Sequence, residues 1–122
     1  MVVLQTASNT PLAVAGTAAL LALFLSITAH LAARNVLGDV PVRKAFVVGP
    51  VPAAIAVVST AFDVHPYLAI AVALTADGAL IGYLYGESRR MTAYVTLIHA
   101  VVSVLLGSVL VSLYLLALSA PS

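Results

Sequence analysis

The sequence predicts an all-α fold: a four-helix transmembrane bundle with up-and-down topology and short loops, forming one integral membrane domain over residues 1–122. Three observations predict it. The chain is 63% hydrophobic and only 7% charged, with a mean hydropathy of +1.18, which is more apolar surface than a water-soluble fold of this length can bury. Four nearly uncharged runs of at least about 18 residues read as spanning helices, because a bilayer core is roughly 30 Å thick and a helix rises about 1.5 Å per residue. The connections between these runs are only a few residues long, so consecutive helices lie antiparallel and side by side.

The first helix is expected over about 11–33. "SNTP" precedes it, with Ser8, Asn9 or Thr10 available to cap free amides and Pro11 suited to the first helical position. The second covers about 42–62, with Asp39 placed to cap it from in front of "VPVRKA". The third begins near Pro66 and covers about 66–86, closed by Gly86. The fourth covers about 91–117. No Lys or Arg precedes the first apolar run, which is longer than a signal core, so it reads as a retained span rather than a cleaved leader.

Composition also excludes function classes. With no cysteine there is no disulfide, thiolate metal site or cysteine nucleophile. A net charge of +1 is no nucleic-acid signature. The expected partners are the lipid bilayer and a homo-oligomer or larger membrane complex. No metal and no cofactor is expected.

All five basic residues fall in two loops: Arg34, Arg43 and Lys44 in one, Arg89 and Arg90 in the other. The positive-inside rule makes loops 34–44 and 87–90 cytoplasmic and puts both termini outside. These side chains are read as topology determinants that also hold phospholipid headgroups. The five tyrosines cluster toward helix ends and suit interfacial anchoring.

In lipid, helices associate through close backbone approach and side-chain hydrogen bonds, so small residues at every fourth position mark seams. Gly78, Gly82 and Gly86 form such a helix-packing seam on the third helix, either within the bundle or between two copies. Thr92, Thr96, His99, Ser103 and Gly107 share a face of the fourth helix, and Ala18, Ala22, Ser26, His30 and Arg34 one of the first.

Asp77 interrupts the apolar run "ALTADGALIG". A lone charge against lipid costs about 2.5–3.5 kcal/mol even on lenient scales, so it must face a helix or a wet cavity. It lies roughly 140° around the helix from the glycine stripe, which gives the third helix two separate interfaces. Counted from the basic ends, Asp77 and His99 both sit roughly 12–14 Å deep on neighbouring antiparallel helices. A hydrogen bond between them follows, with either His99 as imidazolium or Asp77 protonated. This intramembrane polar pair is the candidate site. Supporting residues are His30, Ser103, and Pro50 and Pro52, which free the carbonyls of Phe46 and Val48 on the second helix.

Two function classes compete. In the first, the chain is a structural or accessory membrane subunit, and the pair fixes register. In the second, it is a small ion- or proton-coupled transporter or channel using Asp77 and His99. Small multidrug exporters and fluoride channels have similar length, but the first helix carries no acid and no fluoride-channel motif is present. Haem ligation by His30 and His99 fails on depth, since they differ by roughly two turns. No catalytic motif is present either: there is no HExxH and no aspartate pair, so the chain is not expected to be an enzyme.

The run "SITAHLAARNVLGDVPVRKAFVVGPVPAAI", residues 26–55, with the four-helix spacing of the rest, resembles an uncharacterised family of small four-helix integral membrane proteins from halophilic archaea. The resemblance implies the architecture and carries no catalytic or binding residue.

Overall fold

The computed structural model describes residues 10–121. It holds five helices: α1 (Pro11–Leu37), α2 (Val42–Val48), α3 (Pro50–Ala61), α4 (Pro66–Tyr85) and α5 (Arg89–Ser119). The helices α2 and α3 run on as one span, Val42–Ala61, so there are four segments long and apolar enough to cross a membrane. Among the described residues there is no strand.

Local chemistry sets each boundary. Thr10 caps α1, its Oγ1 accepting from the Ala13 amide at 3.1 Å, with Pro11 at the first helical position. Ser8 and Asn9 lie outside the described residues. The helix runs past Ala33 and through Arg34, because a charge at the lipid boundary does not end a helix. Gly38 does, at φ +88°, with its amide on the Arg34 carbonyl. Asp39 is not a cap: Pro41 takes that position on α2 and no side chain bonds there.

The second span breaks at Gly49. Pro50 has no amide to donate back to Phe46, so the hydrogen-bond ladder lapses there although Gly49 keeps helical angles. Helix α4 is capped by His65, whose Nδ1 accepts from the Tyr67 amide at 3.2 Å. The Ser88 hydroxyl accepts from the Met91 amide at 3.3 Å and starts α5 at Arg89.

The spans form a closed ring. The helix α1 packs on the second span and on α5, the second span on α1 and α4, and α4 on α5. Antiparallel alternation brings Arg34 at the end of α1, Arg43 and Lys44 at the start of α2, and Arg89 and Arg90 at the start of α5 to one end, here called the basic end. There the Lys44 Nζ lies 5.4 Å from the Tyr85 ring centroid and the Arg90 guanidinium 6.0 Å from that of Tyr94.

The core sits in the basic half. Ala29, Ala32, Ala33, Ala45, Val48, Ile81 and Val95 are all buried, whereas α5 beyond Gly107 is exposed throughout. The alanines let α1 approach its neighbours closely, and Gly49 is the extreme case. A Cβ there would overlap Ser26, both its Oγ and its backbone N and Cα, so the second span rests directly on the α1 backbone. Ser26 itself donates to the Ala22 carbonyl at 2.7 Å.

Candidate functional site

The helix α4 contributes Asp77 and α5 contributes His99, each 3% exposed. His99 Nδ1 lies 2.6 Å from Asp77 Oδ2, at the short limit of charge-assisted hydrogen bonds. The other ring nitrogen, Nε2, lies 3.0 Å from the backbone carbonyl of Leu25 on α1. One imidazole therefore joins three helices.

This geometry fixes most of the hydrogens. A carbonyl oxygen only accepts, so Nε2 carries a hydrogen and donates it to Leu25. A single further proton then lies between Nδ1 and Oδ2, as imidazolium facing carboxylate or as imidazole facing carboxylic acid. Both forms are neutral as a pair, which suits a site away from water. The second carboxyl oxygen, Asp77 Oδ1, is buried and has no partner among the described residues.

A second arm reaches the same carbonyl. Thr28, fully buried on α1, donates its Oγ1 hydrogen to Leu25 O at 3.1 Å. Since Thr28 has one hydroxyl hydrogen and it is spent there, Ser103 Oγ, 2.8 Å away on α5, is the donor in the bond between them. The Leu25 carbonyl thus ends two chains: one from Asp77 through His99, one from Ser103 through Thr28.

Of the residues singled out by sequence, Asp77, His99 and Ser103 meet in this network, Ser103 through Thr28. His30 does not join it. On α1 it lies roughly 140° around from Leu25, and its Nδ1 is buried without a partner among the described residues. Pro50 and Pro52 stand on the second span, and among the described residues His99 bonds to Asp77 and to the Leu25 carbonyl rather than to the carbonyls these prolines release.

The glycine seam is corrected in two ways. Gly86 is no part of it: at φ +63° it is the left-handed cap of α4, with its amide on Gly82 O, and a Cβ there would have nothing within 4 Å. Gly78 and Gly82 face α5, where a Cβ would come 3.4 Å from Thr96 Oγ1 and 3.2 Å from Thr92 Oγ1 respectively. The glycines and Asp77 thus share one partner helix. They flank a single α4–α5 contact, because His99 is long enough to reach the inner flank while the short threonines fill the outer one.

Sequence reasoning missed Thr28 and the Leu25 carbonyl. A hydroxyl buried opposite Ser103 carries the polar-small signal already used on α5, but a backbone acceptor has no residue type to read.

No curated protein and no solved structure matches the chain. The profile of a family of unknown function, DUF7473, matches residues 8–121, which takes in all four spans and the whole hydrogen-bonded network. The chain belongs to that family.

Proposed function

We propose that the protein is a structural or accessory subunit of the membrane, a four-span bundle fastened by Asp77 and His99 and working as an oligomer or within a larger complex. The observation that carries this reading is the termination of both hydrogen-bonded arms on the Leu25 carbonyl. A proton relay needs groups that accept on one side and donate on the other; a peptide carbonyl has no hydrogen to pass on. On this reading the network holds α1, α4 and α5 in register and passes no proton on at Leu25. On the same reading the chain is not an enzyme, its two basic loops are cytoplasmic and both termini are outside. On the same reading its source is a halophilic archaeon, as the resemblance carried by residues 26–55 implies.

The second reading is proton- or cation-coupled transport, favoured by the buried, unpartnered Asp77 Oδ1. Reconstitution in liposomes separates the two. The fastener predicts proton and cation fluxes equal to those of empty vesicles, and unchanged by Asp77→Asn. A flux present in the native protein and lost in Asp77→Asn would establish transport instead. A reporter fused after Ser122 tests the orientation and should be active only outside the cytoplasm.

A further inference from the structure

We propose that the groove on the outward side of the α4–α5 contact seats one acyl chain of an anionic phospholipid, with Arg89 holding its headgroup. The inference rests on the spans lying in a bilayer, but not on the role of the Asp77–His99 pair. The groove is open and runs lengthwise between the two helices, lined by Gly78, Ala79, Ala93, Thr96 and Ala100, with Arg89 its one charged residue. From Arg89 to Ala100 the helix rises about 17 Å, close to half of a hydrocarbon core of about 30 Å. That is the depth of one leaflet, with the cation at the end where a headgroup lies.

Charge makes the same assignment. The one ion pair among the described residues is Asp77–His99, so Arg89 has no carboxylate partner, and Glu87 close by pairs with nothing. Arg90 is occupied, its Nε donating to Tyr94 Oη at 3.4 Å. A free guanidinium at the mouth of an apolar trough matches a phosphate above a chain.

A second copy of the protein fits less well. The holes that a glycine stripe offers a partner helix are already filled, since Thr96 and Thr92 cover Gly78 and Gly82. Two copies docking here about an axis along the membrane normal would also bring both Arg89 side chains into one interface.

The test is native mass spectrometry of protein reconstituted in mixed phosphatidylglycerol and phosphatidylcholine and then extracted. The native protein is expected to retain one phosphatidylglycerol in preference to phosphatidylcholine. Arg89→Gln should lower that retention about fivefold, corresponding to about 1 kcal/mol for one basic residue near the surface. Ala79→Phe, at an exposed position in the groove, should displace the lipid while Arg89 remains. Ala93→Phe repeats the test from the other helix. Equal retention of both lipids, retention unchanged in these variants, or efficient disulfide pairing of two Ala79→Cys copies would overturn the proposal. None of these positions takes part in the hydrogen bonds of the Asp77–His99 network, so such a failure leaves the fastener standing. Failure of the membrane reading would show separately, as a protein that stays soluble without detergent.

Discussion

His99 donates its Nε2 hydrogen to the carbonyl of Leu25 at 3.0 Å, and this one bond ties the Asp77 pair on α4 and α5 to α1. It makes His99 the more consequential partner. His99→Ala breaks two bonds and strands Asp77, whereas Asp77→Ala leaves the Leu25 bond intact. Membrane hydrogen bonds contribute about 0.6 kcal/mol on average and up to about 1.7. We therefore expect His99→Ala to cost about 2–3 kcal/mol, Asp77→Ala about 1–2, and Asp77→Asn less than either. An asparagine amide can still donate to His99 Nδ1. Reversible unfolding in mixed micelles measures the order, and an Asp77→Asn as damaging as His99→Ala would contradict it.

Thr28 and Ser103 should behave as one unit. Thr28→Val and Ser103→Ala each remove the bond they share, so each is expected to cost about 0.5–1.5 kcal/mol. The double variant should be no worse than Thr28→Val alone, because nothing remains for the second change to break. Strict additivity in the same unfolding assay would show that the 2.8 Å contact carries no energy.

Gly49 is the least replaceable glycine. A methyl at this position meets the Ser26 backbone, which cannot move without shifting α1, so Gly49→Ala should cost about 3 kcal/mol or prevent folding. Trimming the Ser26 hydroxyl in a Ser26→Ala background should not restore it. Gly16 is the control: it lies in α1 with nothing within 4 Å, and Gly16→Ala should be neutral or stabilise by up to about 1 kcal/mol. Comparing the two in one unfolding series checks whether the α1–second-span crossing is as close as described.

How much of this was legible in the sequence depended on what carries the information. Composition and run length indicate four helices long and apolar enough to span directly, because so many uninterrupted apolar residues exceed what a water-soluble fold of this length buries. The level of Asp77 and His99 was readable by counting residues from two neighbouring helix ends, since helical rise is constant. The end of α1 was not: Arg34 reads as a boundary, while the backbone stops at Gly38. Nor was Thr28. The stripe through Ser26 and His30 marks one flank of α1, and Thr28 lies roughly 160° from Ser26, on the flank facing α5. A helix in a ring of four has two neighbours and therefore two inner flanks, and a single stripe shows only one. Helix α4 does have two interfaces, with the second span and with α5, but Asp77 and the glycines do not divide between them, because helical angle alone ignores the reach of the opposing side chain.

The fastener requires Asp77 and His99 to act on each other within the folded bundle. A double-mutant cycle of Asp77→Ala and His99→Ala, read by reversible unfolding in mixed micelles, measures that most directly. We expect a coupling of at least about 1 kcal/mol, with the double variant less destabilised than the sum of the single ones. Additive costs, with coupling below about 0.3 kcal/mol, would contradict the fastener.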